Sequence, residues 1–264
     1  MTRRGKIVFA KAAMVLAALP VLLWAYEYGP DPGYVAVPGE NGGATCATSG
    51  CHTGTANNPS NKGNVAVNFP NGTTYTPGVP QTLTVTVTDP AASQKAAGFE
   101  LTARLASTPS SMAGSFTATD ANTQLLCSQT NLQVFQQVPN TLAQSCKSGY
   151  TLQYIEHSLT GYTNSVAKGL PYTYSFMWMP PATNVGNVTI YVAGNAGSGN
   201  PPSADNDHIY STKYTLSPST GGTAPAISAG GVVSAGAFGG FTAATAGSWI
   251  EIYGSNMGPS TGYS

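Results

Sequence analysis

The sequence predicts an all-β protein built as an antiparallel β-sandwich. Several short segments alternate apolar and polar residues with a period of two, the pattern of a half-buried strand. Turn-forming Gly, Pro, Asn and Asp residues separate these segments. Charged residues make up only 8% of the chain, against about 25% in an average soluble protein, which disfavours helices rich in Glu and Lys.

Five alternating segments follow one another along the chain. In residues 83–88, Leu and Val occupy the odd-numbered positions and Thr occupies the even-numbered ones. The same alternation appears in Phe99–Leu105, Tyr172–Trp178, Val188–Val192 and Tyr210–Leu216. After residue 26 no segment has the period of an amphipathic helix.

One predicted strand carries four aromatic side chains on a single face: Tyr172, Tyr174, Phe176 and Trp178. Such a row can form a carbohydrate-binding platform when it faces solvent. Alternation with polar residues is, however, the expected appearance of a sandwich core. We therefore predict that this row is buried.

The N-terminus has the composition of an export signal. Four basic residues, Arg3, Arg4, Lys6 and Lys11, precede the charge-free apolar stretch 12–25. This stretch is shorter than the about 20 apolar residues that a membrane-spanning helix requires, and it predicts a signal peptide over residues 1–25. Since Leu23 stands where a small residue is expected before a cleavage site, an uncleaved N-terminal anchor is the alternative.

The exported part of the chain is predicted to be mildly acidic. All ten Asp and Glu residues lie from Glu27 onward, where six basic residues remain, so the net charge is near −4. No basic patch occurs in this part, which argues against nucleic acid as a partner.

Composition divides the rest of the chain into two domains. Residues 26–218 are predicted to form the sandwich, beginning with an ordered Gly- and Pro-rich loop over residues 26–60. Small residues at 219–224 indicate a linker, and the tail to residue 264 contains one predicted strand at Ser248–Gly254. About 40 residues cannot bury a core unaided, so residues 219–264 are interpreted as a linker and the start of an incomplete second β-domain.

Four cysteines occur in a chain that is predicted to enter an oxidising compartment, where disulfides persist. Four cysteines allow three pairings, and sequence alone does not choose among them. Local pairing is the default, joining Cys127 to Cys146 and Cys46 to Cys51.

Ordered motifs in the chain resemble the bacterial branch of the reeler domain, also described as a choice-of-anchor V domain. The similarity covers residues 29–217 and rests on six segments: Gly42–Gly54, Tyr75–Gly78, Gly98–Ala103, Trp178–Pro181, Gly186–Gly194 and Asp207–Thr212. The resemblance implies an immunoglobulin-like β-sandwich in a secreted or surface-anchored protein. Residues 225–260 resemble the start of a C-terminal β-domain that is common in secreted bacterial proteins.

One motif suggests cofactor chemistry. Cys46, Cys51 and His52 form a C-x₄-C-H sequence, a variant of the C-x-x-C-H site at which c-type haem is attached and the His ligates iron. His157 or His208 are the candidate distal ligands, with Met112, Met177 and Met179 as further possibilities. The competing interpretation is a small disulfide loop beside an incidental His52.

Other metal sites and catalysis are not predicted. Zinc normally requires two tight ligand pairs, and only one is present. Asp205 and Asp207 lack the following acidic residue that would complete a known calcium loop. His157 and Glu156 face opposite sides of their predicted strand, and no nucleophile elbow, P-loop or dinucleotide fingerprint occurs in its required context.

Two functional hypotheses follow. The first is a secreted, periplasmic or cell-surface β-sandwich that binds an unidentified extracellular or envelope ligand or has a structural role, stabilised by disulfides and without a cofactor. The second is an extracytoplasmic monohaem c-type electron carrier. Contact with a membrane is expected only through an uncleaved N-terminal segment or a further C-terminal part.

Overall fold

The computed structural model describes residues 27–47, 51–52, 54–140, 144–199, 206–219, 226–235, 246–247 and 249–255. The predicted export segment 1–25 therefore lies outside the described residues. Within them the chain divides into two compact units, one ending at Pro218 and the other beginning at Ser219.

Twelve of the strands belong to the first unit. They are β1 Asn64–Asn68, β2 Thr74–Tyr75, β3 Gln81–Thr88, β4 Ala96–Leu105, β5 Thr108–Met112, β6 Ser115–Ala118, β7 Thr123–Ser128, β8 Phe135–Pro139, β9 Leu152–His157, β10 Tyr172–Met179, β11 Val188–Gly197 and β12 His208–Pro218. A helix, α1, spans Leu159–Lys168 between β9 and β10.

The strands form two sheets that pack as a sandwich. A four-stranded sheet has the order β1-β3-β10-β6, and an eight-stranded sheet has the order β2-β12-β11-β4-β9-β7-β8 with β5 beside β4. All pairs are antiparallel except β2 with β12. The predicted all-β antiparallel sandwich is confirmed.

The main core lies between the two sheets. On the four-stranded sheet, Tyr174 pairs with Val85 and Phe176 with Leu83, and all four side chains are almost completely buried. The stacked rings of Phe99 and Phe176, 5.9 Å apart, join the two sheets. The aromatic row of β10 is therefore core, as predicted, because alternate side chains of a strand point to one face.

Helix α1 is a correction to the sequence analysis, which predicted no helix after residue 26. The side chain of Ser158 caps the helix by accepting a hydrogen bond from the Gly161 backbone N–H. Its buried residues are only Gly161 and Ser165, so the helix packs through small residues and has no apolar stripe. A search for 3.6-residue hydrophobic periodicity misses such a helix.

In the second unit, the described residues form the antiparallel pair β13, Ala226–Ser234, and β14, Ile250–Ser255. The strand predicted at Ser248–Gly254 corresponds to β14. Large apolar side chains are exposed in this unit, including Trp249, which precedes β14, and Tyr253 in β14. The interpretation of residues 219–264 as the start of a second β-domain stays a prediction.

Candidate functional site

Residues 27–47 lie across the outer face of the eight-stranded sheet, opposite the main core. We call this stretch the N-terminal cover. Val35 and Val37 are buried in a second, smaller apolar cluster with Leu126, Tyr154 and other side chains of the sheet. The cover folds back on itself through a β-bridge between Val35 and Thr45. It is thus an ordered loop that gives the sandwich a third layer.

The cover explains the burial of the strands beneath it. All six residues of β7 are buried, as are nine of the ten in β4. A strand that is covered on both faces has no solvent-facing parity and needs no polar alternation. This is why the sequence analysis recognised β4 only in part and missed β7.

The C-x₄-C-H motif lies at the end of this cover. Cys46 and Cys51 are half-buried thiols, and the Sγ atom of Cys46 lies 4.0 Å from the backbone oxygen of Tyr34. The backbone N–H of His52 donates to the carbonyl of Cys46 over 3.4 Å, which closes the loop between them. Burial raises the pKa of the Cys46 thiol, and this disfavours the nucleophilic thiolate. The pairing of Cys46 with Cys51 stays a prediction.

The other two cysteines form a disulfide, in the local pairing that their spacing favours. Cys127 in β7 is joined to Cys146, with Cα atoms 5.6 Å apart. The bond ties the buried strand β7 to the connection that leads into β9.

His52 is anchored to the sheet beneath it. Its Nδ1 atom lies 2.8 Å from Oδ2 of Asp207, and its Nε2 atom lies 3.5 Å from the side-chain amide of Asn195 in β11. Asp207 in turn accepts a hydrogen bond from the backbone N–H of Ser198. This network fastens the loop carrying the motif to the β11–β12 connection.

The candidate distal haem ligands lie in different surroundings. The Nδ1 atom of His157 lies 3.1 Å from the backbone nitrogen of Phe99, and its ring lies near Tyr174 in the main core. The Nδ1 atom of His208 lies 2.6 Å from Oδ2 of Asp89, beyond the end of β3. These contacts place His157 beside Phe99 and Tyr174, and His208 beside Asp89.

The methionine candidates do not join His52 either. The Sδ atom of Met112 lies 2.7 Å from Nη1 of Arg104, and Met177 and Met179 belong to β10 in the opposite sheet. The structure thus brings Cys46 and His52 together, whereas His157, His208 and Met112 contact Phe99, Asp89 and Arg104. Among the described residues, no group of three or more His, Cys, Asp or Glu side chains could hold a metal ion.

A second His–Asp pair ties the two sheets together. Asp89 accepts hydrogen bonds from the backbone of Ala91, from His208 and from the hydroxyl of Tyr210. Burial opposes ionisation of this carboxyl, but the hydrogen bonds from Tyr210, Ala91 and His208 outweigh it and lower the pKa of Asp89. The pair therefore has a structural role, since it joins the start of β12 to the residue that follows β3.

Beneath the N-terminal cover lies a cluster of buried charged side chains that the sequence analysis did not single out. Arg104 of β4 donates to Oε1 of Glu40 from Nε and from Nη2, at 3.1 and 2.9 Å. The hydroxyl of Tyr154 donates to the other oxygen of Glu40 over 2.7 Å. Glu100 and Glu156 complete the cluster and are at most 1% exposed. The only signal in the sequence was a charged residue on the polar parity of a strand, which normally indicates a solvent-facing side chain.

A polar cleft of about 280 Å³ opens between the loop after the motif and strand β12. Its lining carries amide and hydroxyl groups and no charged side chain: Asn57, Asn58, Pro59, Asn61, Gly63, Asn64, Val65, Tyr210, Ser211 and Thr212. Asn57 makes three hydrogen bonds with Ser211, which join the two walls of the cleft. The sequence analysis missed this cleft because its two walls are about 150 residues apart in the chain.

Fold and cover together define a class, the disulfide-containing all-β sandwich. The family model of the Reeler domain matches residues 44–148 of this chain. The match begins within the N-terminal cover and ends beyond β8. The choice-of-anchor V label and the relationship of the C-terminal tail to a second family stay predictions.

Three solved structures match the chain at low sequence identity. The human F-spondin reeler domain is 14% identical, with 58% of this chain and 87% of that chain covered and a TM-score of 0.35. A cohesin module from a Clostridium perfringens family 33 glycoside hydrolase is 8% identical, with 59% and 96% covered and a TM-score of 0.33. A DUF4466 family protein from Parabacteroides merdae is 12% identical, with 73% and 55% covered and a TM-score of 0.28. No functionally curated protein matches the chain.

Proposed function

We propose that this chain acts outside the cytoplasm as a disulfide-stabilised β-sandwich module with a binding role. The Reeler domain match supports an extracellular module. The Cys127–Cys146 disulfide supports an oxidising compartment, because disulfides are rare in the cytosol. In the part of the chain that the structure describes, no helix is long and apolar enough to cross a membrane.

The polar cleft is the observation that carries the binding role. Side-chain amides both donate and accept hydrogen bonds, and so do the hydroxyl groups of a sugar. The absence of charged side chains from the lining disfavours a strongly ionic ligand. We therefore assign the cleft to a neutral, hydroxyl-rich ligand such as a glycan of the cell envelope.

Calorimetric titration of the purified chain with neutral and with sulfated oligosaccharides tests this assignment. A double variant, Asn61→Ala with Asn64→Ala, should weaken binding of the neutral ligand at least tenfold, since two lining amides are removed. Thr82→Ala is the matched control, because Thr82 is exposed near the opposite end of β3 from Thr88, the residue that pairs with Asn64, and it does not line the cleft. Binding confined to sulfated ligands, or equal binding by both variants, would refute the proposal.

The haem c carrier remains the alternative. It is favoured by the hydrogen bond between Asp207 and Nδ1 of His52, since metal-ligating histidines commonly hold a carboxylate or carbonyl on the second ring nitrogen. Cys46 and Cys51 would bond the haem vinyl groups and His52 would ligate the iron through Nε2. Expression in a host with haem-attachment machinery distinguishes the two: a Soret band retained after denaturation supports the haem, and a colourless protein at the apo mass refutes it.

A further inference from the structure

Two glutamates lie on neighbouring strands under the N-terminal cover. Glu100 in β4 and Glu156 in β9 are directly paired across the antiparallel strands, where side chains lie about 5 Å apart at Cβ. Both side chains are buried from solvent. Two adjacent carboxylates cannot both be ionised in such a place without a compensating charge.

Both groups contact the cover directly. Glu100 accepts hydrogen bonds from the backbone N–H groups of Gly33 and Tyr34, at 2.9 and 3.1 Å. Gly29 packs so closely on Glu156 that a Cβ atom built on it would lie 2.5 Å from Oε1. The cover is therefore attached to the sheet through these two side chains.

The polar contacts of Glu156 leave one oxygen unsatisfied. Its Oε1 atom accepts from the side-chain amides of Gln124 and Gln137, at 2.8 and 3.3 Å. Its Oε2 atom is buried and has no hydrogen-bond partner among the described residues. An unpartnered buried carboxylate oxygen is costly, whereas a carboxyl O–H there would supply a donor.

The surrounding charges do not neutralise the pair. Arg104, the buried cation of the cluster, makes its ion pair with Glu40. The titratable groups that face the pair come from the cover and from the strands below it: Asp31, Tyr34, Glu40 and Cys46 from the cover, and Arg104 and Tyr154 from β4 and β9. With all three glutamates ionised the cluster would carry two uncompensated negative charges.

We propose that a proton shared by Glu100 and Glu156 fastens the N-terminal cover to the eight-stranded sheet, and that loss of this proton in alkaline solution releases the cover. The bound state has a carboxyl O–H between the two side chains. The released state has two hydrated carboxylates, and the proton passes to solvent. Release would also expose the half-buried thiol of Cys46, which belongs to the same apolar cluster.

The direction of the pKa shifts agrees with this geometry. Burial raises the pKa of Glu100 to about 8, against the opposing hydrogen bonds from Gly33 and Tyr34. Burial and the adjacent Glu100 raise the pKa of Glu156 well above its usual range. The cover is therefore expected to loosen as the pH rises through about 8.

Amide hydrogen exchange tests the proposal on the whole chain. After correction for intrinsic exchange rates, protection of the Gly33 and Tyr34 amides should fall at least about tenfold between pH 6 and pH 8. The Val85 amide in β3 should change much less. In Glu156→Gln, whose amide can donate as the shared proton does, the fall should shrink to less than about threefold. Glu251→Gln, a change in the second unit, should behave as wild type.

Three outcomes would overturn the proposal: constant protection of the cover amides from pH 6 to pH 8, a fall in Glu156→Gln equal to that of wild type, or full recovery at pH 8 on adding sodium or calcium chloride. The last result would assign a cation, rather than a proton, to the pair. If Glu156→Gln does not fold, the titration of the glutamate carboxyl groups can be followed in the wild-type protein by ¹³C NMR. The chain has only five glutamates, so their signals can be followed one by one. Ordinary titration of all five would be incompatible with a shared proton.

Discussion

Glu100 and Glu156 stand directly opposite each other on β4 and β9, and the N-terminal cover buries both. Strand pairing fixes their proximity, and the cover removes the water that would otherwise separate their charges. The stability of the sandwich should therefore respond to pH in an unusual direction.

The free energy of unfolding should fall between about pH 5 and pH 8. The folded-state pKa of Glu100, about 8, lies above its unfolded value, so in this window the folded state holds a proton that the unfolded state has released. The stabilisation is complete below the unfolded pKa and is lost as the pH rises through the folded pKa. Each such group contributes a slope of at most about 1.4 kcal/mol per pH unit. Urea unfolding at pH 5, 6, 7 and 8 measures the free energy of unfolding at each pH. A free energy that rises across this range would contradict the prediction.

A second pH effect, of opposite sign, should appear in acid. The pKa of Asp89 is lowered, so its contribution is present above the ordinary Asp pKa and is lost as the pH falls through the folded value. Asp89→Asn should therefore flatten the loss of stability below about pH 4. Asp120→Asn is the control, because the carboxylate of Asp120 also accepts hydrogen bonds, from Asn122, but does not contact His208 or Tyr210. An unchanged loss of stability in acid in Asp89→Asn would argue against a role for the Asp89–His208 pair.

Arg104→Ala should destabilise the first unit by about 3–5 kcal/mol, because it leaves Glu40 buried without its cation. The double variant Arg104→Met with Glu40→Gln should be much less damaging, since both charges are removed together. Denaturant unfolding of the single and double variants gives the coupling free energy between Arg104 and Glu40. Equal losses in the two proteins would show that packing of the Arg104 side chain, rather than its charge, dominates.

Replacing Cys127 and Cys146 by Ser should lower the free energy of unfolding by about 2–4 kcal/mol, through the loss of the disulfide that ties β7 to the chain before β9. Replacing Cys46 and Cys51 by Ser gives the matched comparison. If those two cysteines form the predicted disulfide, their replacement should also lower stability under oxidising conditions and have little effect after reduction. Intact mass before and after alkylation counts the thiols in each protein.

Gly161→Ala should destabilise the sandwich by about 1–3 kcal/mol, although Ala is the better helix former. A Cβ atom at this position would lie 2.1 Å from the backbone oxygen of Asn122 and 2.9 Å from Tyr174. Thr160→Ala, at an exposed position of the same helix, should be neutral or slightly stabilising. Thermal unfolding of the two variants checks this. A gain in stability in Gly161→Ala would mean that the helix can shift on the sheet to make room for the added methyl group.

The sequence predicted β3 and β10, whose residues alternate in burial, and missed β7, which is buried throughout. β3 and β10 alternate cleanly because the outer face of the four-stranded sheet meets solvent. β7 and β9 carry no such alternation because the cover lies over them. In the candidate site, the motif at Cys46 and His52 was visible as a spacing, but its partners Asp207 and Asn195 come from residues more than 140 positions away. No local sequence pattern predicts contacts between residues so far apart in the chain.

By itself the sequence determined the β architecture and the buried aromatic face of β10, because each follows from residues that are close along the chain. It made the local pairing of Cys127 with Cys146 the default, and the structure selected that pairing among the three possible ones. Tertiary structure alone decided that Glu100 and Glu156 are buried. A charged residue on the polar parity of a strand is solvated unless a distant segment covers it, and only the folded chain places residues 27–47 over that face.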